Sequence, residues 1–557
     1  MRRFLACTTL VLTGFGCGEE AKWTAPPCGS GPLALSSLVP GPGDSGHDVE
    51  LAAKAFRYDR IYFGLSSYST GMSADLSLAE TASAAEKAMV ESFAENGVGY
   101  DFLAFSGKKP EELFVFNKST GLYSGAGIAA DAYRYGVLRD SGSSCAEIEH
   151  ARGALERAMD GLSVAARIDG VAGVTARSVI RTDLPNTGHG EVTPLFDELG
   201  RALPLEKNNG TWRAPEAPEY PNWIWEDSIS RDMLLGWAFA YGAVWEVIKD
   251  DDTFDAAKKS RLQEDARDTA RALMKVQASG YDLEIPDADG RPTFHAYLNE
   301  NAIDRLYVED LSAKNGFHAV MSLGIVGSLA FAAEDAEVNG FVHENLVSTR
   351  LLPKIASDDM LAVNMGIQSN FSNFNMAFTA MLMAQRYLND AAADGFLLDA
   401  LERELWTKPE VGNERQPKDM HQSLFDLTYA AGRSGAKANA AGRSLESAVV
   451  EGALGTLREY PDAPVWDLPV ENCDAEELAS KSCVLVDGTQ VTVLGDVARN
   501  GGVVTKEIIP MRVRPRSNYH WRSDPYKPNG DGGGRSLYPA VDWRMAYWFG
   551  RWVRENS

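Results

Sequence analysis

Asp227-Ser228-Ile229-Ser230-Arg231-Asp232-Met233-Leu234-Leu235-Gly236-Trp237-Ala238-Phe239-Ala240-Tyr241-Gly242-Ala243-Val244-Trp245-Glu246-Val247-Ile248 is the stretch whose reading decides the fold. Apolar residues recur at Ile229, Met233, Trp237, Ala240, Val244 and Ile248, and a second stripe runs Leu234, Ala238, Tyr241 and Trp245. Spacings of three and four are the helical period. Two such stripes wrap most of the circumference, so the pattern predicts a helix buried nearly all round. Lys258 to Ala278 reads differently: Leu262, Ala266, Ala270, Leu273 and Val276 form one stripe, and Arg261, Glu264, Asp265, Arg267, Asp268 and Arg271 fill the rest. That helix keeps one face in solvent. Phe317 to Ala333 returns to the first kind, with Gly324 and Gly327 small enough for close helix approach. Further helices are predicted at about 76–95, 126–139, 147–166, 340–355, 373–389, 394–406, 419–432, 444–458 and 542–554. Buried and half-exposed helices alternating along one chain predict an all-α fold of the α/α toroid type, a double ring of about twelve helices. No fixed-length repeat marks a solenoid. Val484-Leu485-Val486, a turn at Asp487-Gly488 and Val491-Thr492-Val493-Leu494 predict a small β-hairpin insertion near the C-terminus.

The chain has 557 residues, 45% hydrophobic and 24% charged, which excludes intrinsic disorder and collagen-like structure. A net charge of −24 has the wrong sign for nucleic acid or an anionic membrane surface. Met1-Arg2-Arg3, an apolar run from Phe4 to Phe15 and then Gly16-Cys17 form a basic n-region, an h-region and a small residue before a cysteine. This resembles a bacterial lipoprotein signal, with a bulky Phe15 where that family's box has a small residue. The resemblance implies lipidation at Cys17 and a lipid-anchored position in the cell envelope, at the outer membrane or cell surface; an ordinary signal peptide would leave the protein secreted or periplasmic. Residues 19–48 carry Pro26-Pro27, Pro40-Gly41-Pro42-Gly43 and several Ser, the composition of a tether. The expected organisation is therefore a signal at 1–16, a flexible tether at 17–50, a toroid body at 51–460 and an irregular segment with the hairpin and a closing helix at 461–557. Export leaves Cys28, Cys145, Cys473 and Cys483, of which Cys473 and Cys483 are expected to close a small disulfide loop. With no Cys-x-x-Cys and no His at ligand spacing, no metal site is expected. No cofactor is expected either.

Five segments mix aromatic residues with Asn, Arg and carboxylates, the mixture that stacks on sugar rings and hydrogen-bonds their hydroxyls. They are 206–213, 223–232, 295–307, 370–375 and 517–526. Asp227 reads either as an N-cap with Arg231 as its i+4 partner or as a catalytic carboxylate. Asp232 lies on an otherwise apolar helix, where a carboxylate is costly unless hydrogen-bonded or functional. Either one, paired with Glu300 across a cavity, would supply acid and base for glycoside hydrolysis, with His295 nearby. In the other chemistry, β-elimination on a uronic acid polymer, Asn299, Asn301, Asn370, Asn373, His295 and Tyr519 matter more. Trp212, Arg213, Trp225, Arg231, Asn299, Arg305, Asn370, Asn373, Tyr519 and Arg522 are the expected substrate contacts, and the run 370–375 reads equally as helix capping with core phenylalanines. Gly125-Ala126-Gly127-Ile128-Ala129-Ala130 fits G-x-G-x-x-A but no strong strand precedes it, and tight helix packing explains it. Asp287-Ala288-Asp289-Gly290 begins like a calcium loop, but Leu298 stands at the acidic twelfth position, so a turn is expected. His189 and His421 are isolated and read as structural.

The stretch Asp227 to Trp237, running on through Tyr241-Gly242-Ala243-Val244-Trp245-Glu246-Val247, looks like an inner helix of six-hairpin glycosidase-like proteins. That resemblance implies an α/α toroid over about residues 51–460 and a chemistry among hydrolases, lyases and epimerases of sugars, without selecting one. The expected function is thus an exported lipoprotein acting on a polysaccharide or other glycan. The alternative is a non-catalytic envelope lipoprotein that binds glycan or scaffolds a complex.

Overall fold

The computed structural model describes residues 24–203, 210–303, 306–307, 314–360, 370–412, 414–434, 447–496, 503–516 and 524–554. Helix dominates: about 50% of the chain is helical, with seventeen α-helices among the described residues. The fold is mostly-α rather than all-α, since six small sheets of two to four strands accompany the helices. The helix count exceeds the expected twelve because outer elements are broken. Where one helix was expected at 340–355, the chain forms Ala336–Gly340, a wide-turn segment Phe341–Thr349 and Leu352–Asp358. Leu351 sits at φ 55 and Pro353 follows two residues later, so the helical ladder cannot continue through them.

Six helices are buried over most of their surface: Gly121–Asp140, Arg231–Ile248, Gly316–Ala333, Phe371–Tyr387, Ser423–Ser434 and Val541–Trp552. Each packs on the next in that order, and the last packs on the first. Half-exposed helices such as Cys145–Arg167, Ala256–Met274 and Ser447–Glu459 lie between them in sequence and against them in space. Gly316–Ala333 is long and apolar enough to cross a membrane, with a mean hydropathy of 1.6, but 94% of it is buried here by the other helices. The closest approach is between the first two. A Cβ at Gly125 would lie 1.9 Å from the Gly236 carbonyl oxygen, so the G-x-G-x-x-A run is a packing surface.

The six helices share an interior. Arg386 pairs with Glu246, whose carboxylate also accepts from Trp552 Nε1 at 2.7 Å and from the Tyr387 hydroxyl at 3.1 Å. The Tyr133 and Tyr387 hydroxyls are 2.7 Å apart. Four helices therefore meet at one part-buried polar cluster, in which every charge has a partner.

Residues 24–48 do not form the expected free tether. Cys28 is disulfide-bonded to Cys145, and the Leu38 and Val39 N–H groups donate to Val553 and Gly550 at 3.0 and 2.9 Å. The composition is that of a linker, but Leu38 and Val39 supply an apolar plug that buries against the last helix. At the other end of the chain, Ser482–Val484, Gln490–Asp496 and Val503–Thr505 form a three-stranded sheet around the Cys473–Cys483 disulfide. The hairpin turn falls at Asp487-Gly488, with Gly488 at φ 87.

Candidate functional site

Helix Arg231–Ile248 begins after a strand, Trp223–Glu226, which pairs antiparallel with both Ser178–Arg181 and Trp212–Arg213. This register sets the fate of the sequence-predicted residues. Asp227 is not a helix cap. Its carboxylate accepts from the Thr211 N–H and from Arg213 Nε, both at 2.7 Å, and both side chains of this ion pair are buried. Burial pushes the Asp227 carboxyl up while Arg213 pulls it back. Arg213 is used up, since it also donates to the Thr193 and Pro194 carbonyls. Trp225 is in the core with its indole N–H on the Ala214 carbonyl. Trp212 stays half-buried, its ring 6.0 Å from the Lys118 ammonium and near His189.

Glu300 is likewise committed. It forms a two-armed ion pair with Arg350, which also grips Asp282. Asn299, buried, donates to Asp282 and accepts from Asn301. His318, in the first turn of Gly316–Ala333, receives Arg231 on Nε2 at 2.6 Å and faces the Asn299 carbonyl with Nδ1. Burial, with Arg231 beside it, lowers its pKa to about 3, so the ring is neutral at ordinary pH and serves as a positioning element. His295 lies half-buried on strand Pro292–Tyr297, against Phe294. Asn370 caps helix Phe371–Tyr387 by accepting from the Ser372 N–H, as the capping reading has it, and Asn373 is in the first turn. Asp287 to Gly290 form a turn, and among the described residues no group of three or more His, Cys, Asp or Glu is placed to hold a metal ion. Cys17, Arg305, Tyr519 and Arg522 lie outside the described residues.

Asp232 is the exception among the predicted carboxylates. Its partner is the Ser230 hydroxyl, which in turn accepts from Arg177 at 2.8 Å. At 100° per residue its direction lies about 40° from that of Glu246, which marks the shared interior. The same construction finds residues that the sequence reading did not single out. Asp542, in the first turn of Val541–Trp552, points within about 20° of Phe549, whose ring packs on Tyr133. Asn375 and Thr379 each point within about 20° of Arg386. Thr428 faces inward between Phe425, stacked 4.0 Å from Phe378, and Leu427, which meets Gly550.

Asp232 and Asp542 lie in the first turn of their helices, Asn375 in the second and Thr379 and Thr428 at mid-helix, whereas Glu246 and Arg386 lie in the last turn of theirs. Three of them leave polar atoms unsatisfied: both side-chain polar atoms of Asn375 and the hydroxyls of Thr379 and Thr428 are buried and have no partner among the described residues. The Gln422 amide, just before helix Ser423–Ser434, is in the same condition. Buried polar groups are nearly always paired, so such a concentration needs water or a ligand to complete it. Asp542 and Asp232 share one legible signal, an acid in the first turn of a helix that is mostly apolar. Asn375 carries a weaker one, because its partnerless state depends on neighbours from other helices. No family model, no curated protein and no solved structure matches this chain.

Proposed function

We propose that the chain is a glycan-active α/α toroid in which a polysaccharide binds over the N-terminal ends of the six buried helices. The observation that carries this reading is the set of buried amide and hydroxyl groups at Asn375, Thr379, Thr428 and Gln422 that have no partner among the described residues, which together with the carboxylates Asp232 and Asp542 fall between the starts and the middles of the buried helices. Amides and hydroxyls offer the donors and acceptors that sugar hydroxyls take. The cyclic order in which the six helices pack supports the double-ring architecture. Asp232, held by Ser230, is the carboxylate proposed to act as acid or base, with Asp542 as the second for a hydrolysis. With Asp227 and Glu300 bound into ion pairs, neither is proposed as a catalyst. The N-terminal sequence supports an exported protein, anchored in the cell envelope through lipid at Cys17.

The test uses the chain starting after Cys17 with a panel of neutral and uronic-acid polysaccharides. New reducing ends alone mean hydrolysis, and unsaturated-uronate absorbance with them means β-elimination. Asp232→Asn is expected to abolish product while the fold is kept; full activity in that variant removes Asp232 from the chemistry. A second reading, a non-catalytic glycan-binding or scaffolding lipoprotein, is favoured by the engagement of Asp227 and Glu300 in structural ion pairs. Binding to the panel with no product from any member would select it.

A further inference from the structure

A cleft of 230 Å³ lies on the flank of the molecule, between helix Val49–Ile61, the 24–48 segment and the last helix. Its aromatic walls include Phe56, Tyr100 and Trp548, and Pro42 closes one side. Three arginines and three carboxylates lie in or beside it. Arg134 donates to Asp59 and Glu147, both at 2.9 Å, and Arg544 pairs with Asp59 at 2.7 Å and Asp131 at 2.8 Å. Those five groups pair with one another, Asp59 being shared by both guanidiniums. Arg551 does not join them. Arg551 lines the cleft and is 5% exposed, and among the described residues its side chain makes one hydrogen bond, a 3.3 Å donation from Nη1 to the Tyr547 hydroxyl. No carboxylate pairs with it among the described residues, and Arg551 Nε and Arg134 Nη1 are buried without a partner.

A buried guanidinium without an anion carries a large desolvation cost, which a bound oxyanion removes. Among the described residues no carboxylate lies within ion-pair distance of Arg551, and its planar fork suits a ligand carboxylate taken on two N–H groups. Phe56, Tyr100, Tyr547 and Trp548 give the cleft an aromatic wall, and the volume lies just below the usual range for drug-sized ligands. We propose that this cleft binds a small monocarboxylate with a flat apolar body, held by Arg551. The site is separate from the helix ends above and does not depend on the glycan reading. The Cys28–Cys145 disulfide fixes the segment that closes it.

Benzoate is the probe, titrated into the full mature chain and followed by calorimetry and by the fluorescence of Trp548. Benzamide is the neutral match and inorganic phosphate the competing oxyanion. Saturable benzoate binding is expected, at least about tenfold tighter than benzamide and than phosphate. Arg551→Met is expected to lower benzoate affinity by about tenfold or more. Ala52→Phe fills the cleft from helix Val49–Ile61, leaves Arg551 in place and is expected to abolish binding, so it keeps the test intact if Arg551→Met fails to fold. Absence of saturation, equal affinity for benzamide, tighter binding of phosphate, or benzoate binding unchanged in Ala52→Phe would each overturn the assignment.

Discussion

Replacing Asn375 by leucine separates a residue kept for binding from one kept for folding. The two side chains have nearly the same shape, and Asn375 is 2% exposed with neither polar atom bonded to protein. Each unsatisfied buried polar group costs about 1–3 kcal/mol relative to an apolar one of the same form. Asn375→Leu is therefore expected to raise the unfolding free energy by about 1–3 kcal/mol, even though it alters a residue deep in the molecule. The same substitution removes one donor and one acceptor from the proposed sugar site. Two hydrogen bonds at about 1 kcal/mol each correspond to a loss of about tenfold or more in affinity. Urea unfolding followed by tryptophan fluorescence reads the first quantity, and binding to whichever polysaccharide the panel identifies reads the second. A variant that is less stable than the parent and binds as well as the parent refutes the reasoning, because Asn375 then serves the fold.

Two further outcomes follow from the buried charges. Burial and the neighbouring Asp287 push the Asp169 carboxyl up to about 8, and burial with Asp227 nearby pushes Asp287 up to about 7. The folded chain therefore holds protons that the unfolded chain releases near pH 4, and stability is expected to fall as pH rises from about 4 through about 7–8, by up to about 1.4 kcal/mol per pH unit for each group. Asp169→Asn keeps the acceptor for the Val171 N–H and should flatten that slope; urea titrations at pH 5 and 7 that run parallel for parent and variant contradict it. Glu300→Ala leaves Arg350 with Asp282 as its one carboxylate partner and is expected to cost about 1.5–3 kcal/mol of stability, the worth of the lost charge-assisted hydrogen bonds. Parent-like thermal unfolding of that variant would show that the pair contributes little to the fold.

The buried helices were legible because their signal is local. The two stripes of 227–248 and the nearly uninterrupted apolar run of 316–333 state their burial in the order of the residues themselves, and both helices are buried as read. Breaks in the outer helices were not legible, because they depend on single positions such as Leu351 and Pro353 rather than on periodicity. The role of Asp227 was misread for a related reason. Arg231 is its neighbour in sequence, but strand pairing of Arg213 opposite Trp225 brings the Arg213 guanidinium to it from fourteen residues upstream.

By itself, the sequence determined that this is a mostly helical protein with buried helices alternating with half-exposed ones, and which positions on each helix are apolar. Hydrophobic periodicity is a property of a single segment and survives without knowledge of its neighbours. Tertiary structure decided which polar groups are satisfied. Glu300 meets Arg350 fifty residues away and Asp59 meets Arg544 from the last helix, while Asn375, Thr379 and Thr428 find no hydrogen-bond partner among the described residues. A carboxylate or amide reads the same in sequence whether it is neutralised or left waiting, because the partner that makes the difference arrives from another part of the chain.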